Sequence, residues 1–255
     1  MPKGAPRQLW PFLTCFARGA RQASCVWAAV LGVAFGVGPA MADPIASARY
    51  TAPTDRYDHG VLGDAIEWGA LELTLVSGRT LTFTLPQDHV FEDLAPRVVD
   101  LDGDGAPELI VVEADMARGA ALAVYGGSGK ITETPHIGTR HRWLAPIGAA
   151  DFDGDGHIEI AYVDRPHLAK TVRLWRYRDG GLEPLASLPG YSNHRIGEDF
   201  ISGGVRSCAG PPEMIVATAS GARLAAIRFD GAGFAVADLG PNTGAARWRA
   251  ALACD

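Results

Sequence analysis

The sequence predicts an all-β fold, and three observations support this prediction. Short runs of β-branched and aliphatic residues recur along most of the chain. Glycine and aspartate separate these runs, and several runs alternate in polarity, which is typical of strand–turn–strand meanders. Two acidic segments with similar flanking runs also repeat at a fixed distance.

The first 42 residues have the three-part pattern of a secretory signal peptide. They begin with a basic stretch that contains no acidic residue and continue with the short apolar run Cys25–Val37. Small residues at Ala40 and Ala42 follow, which predicts cleavage after Ala42. The apolar run is shorter than the roughly 20 residues needed to span a bilayer. We therefore expect a periplasmic or secreted protein without a transmembrane anchor, with a linker at residues 43–53 and one domain at residues 54–255.

Composition limits the partners of this domain. Removing residues 1–42 takes away four basic residues and no acidic ones, which changes the formal net charge from −6 to −10. Such an acidic chain is not expected to bind nucleic acid or an anionic membrane, but it is compatible with divalent cations. Cys208 and Cys254 are the cysteines that remain. In an exported protein the pair predicts a disulfide, and the alternative is two unrelated buried thiols.

The two acidic segments indicate a repeat of about 50 residues. They are Arg97–Glu113 and Ile147–Val163, and their first aspartates, Asp100 and Asp151, are 51 positions apart. Similar strand-like runs and Gly-rich turns follow each segment. This period fits a four-stranded blade of a β-propeller. A third copy, which has lost the acidic loop, begins near Arg195.

The two ends of the domain are expected to complete each other. The N-terminal part reads as three strands of a blade whose first strand is missing. The segment Arg247–Ala253 resembles the first strands of the other blades. We therefore predict a small propeller of about four blades, closed by pairing of the N- and C-terminal strands and stapled by the cysteine pair. The alternative is an open stack of sheets or a sandwich.

Each acidic loop has the residue types that Ca²⁺ requires. Calcium takes six to eight oxygen ligands from a tightly wrapped chain, and a glycine at position 6 permits the sharp turn. Carboxylates occupy loop positions 1, 3, 5 and 9, and the backbone carbonyl of position 7 is a further candidate. An EF-hand would need an acid at position 12, where this chain has Val111 and Tyr162. The predicted ligands are Asp100, Asp102, Asp104, Ala106 and Glu108 in the first loop, and Asp151, Asp153, Asp155, His157 and Glu159 in the second.

These loops and their flanking strands resemble the FG-GAP/VCBS repeat family, the calcium-loop propellers best known from integrin α-subunits. The resemblance is carried by the two D-x-D-G-D-G-x-x-E loops and extends over residues 54–255. The Phe-Gly and Gly-Ala-Pro signatures that name the family are not intact, and Ile147–Ala150 is their remnant. The resemblance implies adhesion or recognition, with an unknown protein or glycan as the ligand.

No catalytic motif accompanies the loops, so an exported, calcium-stabilised interaction module is the leading hypothesis. None of the histidines has a spacing typical of zinc sites, and no nucleophile elbow or phosphate loop is present. One alternative is a periplasmic or secreted hydrolase with a site in the propeller channel. A further alternative is a structural subunit of an envelope assembly.

Overall fold

The computed structural model describes residues 43–255. The predicted signal peptide at residues 1–42 lies outside this range. Residues 43–255 form no helix that is long and apolar enough to cross a membrane.

The described chain is built from 17 strands and one short helix. The strands are β1 (Ile45–Thr54), β2 (Glu67–Leu75), β3 (Thr80–Thr84), β4 (His89–Phe91), β5 (Arg97–Val99), β6 (Glu108–Asp115), β7 (Gly119–Gly126), β8 (Gly129–Glu133), β9 (Leu144–Ala150), β10 (Glu159–Asp164), β11 (Thr171–Arg178), β12 (Gly181–Pro189), β13 (Tyr191–Ser192), β14 (Gly204–Arg206), β15 (Glu213–Thr218), β16 (Arg223–Phe229) and β17 (Phe234–Pro241). The helix α1 covers Ala245–Leu252. The all-β prediction is therefore confirmed.

The strands form three antiparallel sheets that follow the predicted repeat. Strands β9 to β12 form one four-stranded meander, and β14 to β17 form another. Strands β5 to β8 form a third, which is part of a larger sheet. In that sheet the short strand β4 joins β6 to β2, and β1 and β3 pair with β2. The repeat predicted from the two acidic loops thus marks real structural units. The third unit lacks the loop, and its first strand is β14, which begins later than the predicted start near Arg195.

The second strand of each unit is buried on both faces and connects successive apolar clusters. Along β6, Leu109 and Val111 belong to one cluster, whereas Ile110 and Val112 belong to the next. This alternation follows from the two-residue period of a strand. Ile160 of β10 shares the cluster of Ile110, so the first two units pack face to face. The third unit continues the series, because β10 and β15 share a cluster on their facing sides.

The two outer faces of this series are covered by different elements. Ile45 of β1 and Leu73 of β2 pack on one side of β6. At the other end, Trp248 and Leu252 of α1 pack against the outer face of β15. The prediction of a linker at residues 43–53 is wrong, because most of these residues form β1. The sequence does not mark this strand clearly, since many of its residues are exposed and it lacks a dense apolar run.

The predicted pairing of a C-terminal strand with the N-terminal strands is also wrong. The segment Arg247–Ala253 lies mostly in α1 and pairs with no strand. Its composition of alanine, arginine and leucine favours a helix, and this local preference prevails over the apolar–polar alternation that suggested a strand. The N-terminal strands instead join the sheet of β6. A closed ring of about four blades is accordingly not confirmed.

The predicted disulfide is confirmed between Cys208 and Cys254, whose Cα atoms are 5.9 Å apart. Cys208 follows β14, and Cys254 follows α1. The bridge therefore links the C-terminal helix to the third unit and does not link a closing strand, as predicted, to its neighbour. Arg206 adds a second tie, because its guanidinium donates to the Ala251 carbonyl oxygen at 2.6 Å.

Candidate metal centres in the two acidic loops

Both acidic loops connect the first two strands of a repeat unit. The first lies between β5 and β6, and the second lies between β9 and β10. At the end of each loop, a glutamate opens the second strand and pairs with the last residue of the first strand: Glu108 with Val99, and Glu159 with Ala150. The loop is thus anchored at its base by the sheet.

The first aspartate of each loop organises the backbone. The two carboxylate oxygens of Asp100 accept hydrogen bonds from the amides of Gly103, at 2.8 Å, and Gly105, at 3.0 Å. Asp151 repeats both bonds with the corresponding glycines. Gly103 and Gly105 have positive φ values of 76° and 84°, a conformation that glycine adopts without a Cβ clash. The D-G-D-G spacing is therefore a requirement of the turn itself.

The second and ninth positions fix the loop to the core. Leu101 and Phe152 are fully buried beneath their loops. Their amides donate at 2.9 Å to the buried carboxylates of Glu108 and Glu159 respectively. Burial raises the pKa of Glu108, and the neighbouring aspartates raise it further. Burial likewise raises the pKa of Glu159. Each glutamate is thus held in place by a hydrogen bond, but its ionised form is disfavoured by its surroundings.

Three of the predicted side-chain ligands converge in each loop. In the first loop, one carboxylate oxygen each from Asp100, Asp102 and Glu108 lies within 4.8 Å of the others, and Asp151, Asp153 and Glu159 form the same group in the second. The remaining predicted acids, Asp104 and Asp155, stand outside these groups and accept hydrogen bonds from the amides of Ala106 and His157. A role for the carbonyl groups of Ala106 and His157 stays a prediction.

The donor set fits a hard divalent cation. It consists of carboxylate oxygens from a tightly turned loop, which is the chemistry that Ca²⁺ prefers. Among residues 43–255, no lysine, arginine or histidine forms a salt bridge with the acids of the first loop, whereas Arg176 does so in the second. The crowded negative charge of the first loop therefore has no internal counterion within the described chain.

Arg176 occupies a position that holds a different residue in each repeat unit. It is the cross-strand partner of Glu159 and contacts Asp153 at 2.7 Å and Asp155 at 2.8 Å. By the register of β6 and β7, Gly126 takes this place in the first unit. Arg228 takes it in the third, where Glu213 binds both Arg206, at 2.7 Å, and Arg228, at 2.6 Å. Where the acidic loop is lost, two guanidinium groups neutralise the retained glutamate.

Sequence reasoning missed two further groups of polar residues. One is the Glu213 cluster, which has no acidic loop to mark it. The other brings His89, Asp115 and His136 together from separate elements. No local motif could reveal the second group, because its members meet only through the pairing of β4 with β6 and the course of the chain after β8.

Comparisons with known proteins bear on the loop region of the chain. Neither the curated proteins nor the solved structures contain a match to this sequence. The family model of the FG-GAP-like repeat, however, matches residues 100–162. This stretch starts at the first ligand candidate of the first loop and ends beyond the second loop, within β10. Residues 100–162, which contain both candidate metal centres, are therefore similar to the FG-GAP-like repeat.

Proposed function

We propose that the protein is an exported interaction module, used in adhesion or recognition, in which Ca²⁺ at the two acidic loops holds the connections between strands. The observation that carries the proposal is the convergence of three carboxylates in each loop, on identical backbone scaffolds. The FG-GAP-like match over the same residues supports it. The signal-peptide pattern and the disulfide support export.

Calcium would act here as a structural ion. Asp100, Asp102 and Glu108 would hold it in the first loop, and Asp151, Asp153 and Glu159 in the second. Its charge would relieve the mutual repulsion of these carboxylates and tie the loop to the start of the buried strand. A ligand that binds only the folded chain stabilises it, by about 2.7 kcal/mol when its concentration is 100 times its Kd.

A thermal melt of the purified chain with and without Ca²⁺ tests the metal claim. The expected result is a melting temperature that rises by several degrees in millimolar calcium and falls again with chelator. Replacing both Asp102→Asn and Asp153→Asn should abolish this difference. Asp179→Asn is the matched control, because Asp179 lies in a turn outside the loops and asparagine tolerates its left-handed backbone. A wild-type melt that is insensitive to calcium contradicts the claim.

The interaction role needs its own experiment. A glycan array and a pull-down, each performed with and without calcium, should identify a ligand whose capture depends on the ion. The D102N/D153N variant should lose this capture, whereas Asp179→Asn should keep it. Absence of any calcium-dependent ligand would count against an interaction module even if the ion stabilises the fold.

A cavity lined by residues of the second and third units favours small-ligand binding as a second candidate function. Its volume is about 260 Å³, and polar side chains including His167, Asn193 and His194 line it. Asn193 is itself buried: its Oδ1 atom has no hydrogen-bond partner, and its amide nitrogen donates to the carbonyl oxygens of Ala145 and Pro146, each at 3.1 Å. Assaying the Asn193→Leu variant in the glycan array distinguishes binding here from binding elsewhere.

A further inference from the structure

A cluster of two histidines and one aspartate lies well away from both acidic loops. His89 is the first residue of β4, Asp115 ends β6, and His136 follows β8. His89 and Asp115 are direct cross-strand partners. One potential ligand atom from each of the three residues lies within 4.8 Å of the others. Since the first acidic loop enters β6 at Glu108, the full length of that strand, about 24 Å at 3.4 Å per residue, separates the two sites.

His136 presents an unused lone pair. Its Nδ1 atom is 2.7 Å from the carbonyl oxygen of Gly119. A carbonyl oxygen only accepts, so Nδ1 carries the proton and Nε2 of the neutral ring has a free lone pair. The side chain is 5% exposed, and Nε2 is buried with no hydrogen-bond partner. Such an orphaned acceptor is costly unless something binds it.

His89 is arranged in the same manner. Its Nδ1 atom lies 3.0 Å from a carboxylate oxygen of Asp88, which fixes the proton on Nδ1 and leaves Nε2 free. The Nε2 atom faces the Oδ2 atom of Asp115 at 3.6 Å, which is too long for a hydrogen bond. A separation of about 3.4 Å is expected for two ligands that each lie about 2.1 Å from a tetrahedral zinc ion. The spacing of these two atoms therefore suits a shared metal ion.

The surroundings hold the third ligand and balance the charge. The Oδ1 atom of Asp115 accepts hydrogen bonds from the amides of Ala117 and Arg118, which fix the carboxylate. Its Oδ2 atom, which faces His89, accepts from the exposed Arg118 guanidinium at 2.8 Å, so a metal ion at this oxygen would share it with Arg118 or displace that side chain into solvent. Two further acids stand close to the imidazoles. The Glu113 carboxylate is 3.9 Å from His89 Nε2, and the Glu133 carboxylate is 3.7 Å from His136 Nε2. Lys130 contacts both of these glutamates.

We infer that His89, Asp115 and His136 form a binding site for a divalent transition-metal ion of the zinc type. Two imidazole nitrogens and one carboxylate suit such an ion better than calcium, which prefers oxygen ligands. Both imidazoles have the outer hydrogen bond that orients metal-ligating histidines, to a carboxylate for His89 and to a backbone carbonyl for His136. A water molecule or Glu133 would supply the fourth ligand. This site goes beyond the calcium loops and does not depend on them.

Titration of the full chain with ZnCl₂ in the calorimeter, in excess calcium that saturates the acidic loops, tests the site. We expect one equivalent of zinc to bind, with a Kd in the micromolar range or tighter. His89→Gln and His136→Gln should each weaken binding by at least about tenfold, because loss of an outer hydrogen-bond partner of a ligand already costs about that much. His167→Gln is the control, because His167 pairs with His194 at 2.8 Å in the separate cavity. Binding that persists unchanged in both ligand variants, or no saturable binding by the wild type, overturns the inference.

A measurement on the unaltered protein guards against a variant that fails to fold. In ¹⁵N NMR of the histidine rings, zinc should shift the Nε2 resonances of His89 and His136 and leave the His167 resonances in place. Cobalt substitution should give the visible absorption of a four-coordinate nitrogen–oxygen site. Zinc-induced shifts confined to His167 or His194 would instead place the ion in the cavity and refute the proposed site.

Discussion

Arg176 and Glu159 face each other across β10 and β11, and the Arg176 guanidinium donates to the Glu159 carboxylate at 2.8 Å. The same guanidinium contacts Asp153 and Asp155. It therefore occupies the acidic face of the second loop as an internal cation. The first loop has Gly126 in the corresponding place. Two loops with the same ligand pattern are thus electrostatically different.

This difference predicts that the second loop binds Ca²⁺ more weakly than the first. Arg176→Gln should strengthen calcium binding at the second loop by roughly tenfold, equivalent to about 1.4 kcal/mol, because the ion no longer displaces a bound guanidinium. Calorimetric titration measures the effect in a background where Asp102→Asn and Asp104→Asn disable the first loop. Arg173→Gln is the matched control, because it removes one positive charge from the same strand and its guanidinium binds Asp164, at 3.1 Å, instead of a loop acid. Unchanged or weaker binding in Arg176→Gln would contradict the prediction.

The loops were predictable from sequence because local chemistry fixes them. The turn needs glycine at set positions, and the spacing of Asp100 and Asp151 shows the period of the units directly. The segment around Trp248 was wrongly predicted as a strand. Alternation of apolar and polar residues is a weak signal over so few positions. The helix that this segment forms packs on the outer face of β15, which exists only in the folded chain. His89 and His136 were beyond prediction, because their proximity depends on strand pairing and on a loop path that no local pattern encodes.

Glu67 supports a prediction about pH. It lies at the start of β2 and is buried, and burial together with the neighbouring Glu92 raises its pKa to about 9. The unfolded chain releases this proton near the ordinary glutamate pKa of about 4.3. Between these two values the folded state binds more protons than the unfolded state. Stability should therefore fall as pH rises from about 5 to 9, by up to about 1.4 kcal/mol per pH unit.

Urea unfolding of Glu67→Gln measured at pH 5.5 and pH 8 tests this account. The variant should lose the contribution of this one group, so its stability should fall less steeply between the two pH values than that of the wild type, and it should be more stable than the wild type at pH 8, since glutamine requires no ionisation. Glu72→Gln is the control on the same strand, because Glu72 forms a surface ion pair with Arg49, and such pairs contribute little. If Glu67→Gln and the wild type retain parallel pH profiles, Glu67 is not the group responsible.

The disulfide leads to a final prediction, which concerns the C-terminal end of the stack. Cys208 and Cys254 are 46 positions apart in sequence, and their bond limits the freedom of the unfolded chain as well as holding α1 in place. Removing both cysteines, as Cys208→Ser and Cys254→Ser, should lower the free energy of unfolding by about 2–4 kcal/mol. Hydrogen exchange should localise the loss first to α1, because this helix is short and covers the outer face of β15 with few side chains.

Reducing agent provides the control for this experiment. It should reproduce the loss of stability in the wild type and should have no effect on the double-serine variant. Trp248 should become more solvent-exposed in both cases, which its fluorescence would report, whereas the exchange protection of β6 and β10 should remain. If α1 keeps its protection after the bond is removed, then packing and the hydrogen bond from Arg206 to Ala251 are sufficient to hold the helix. The bond would in that case act mainly through the unfolded chain.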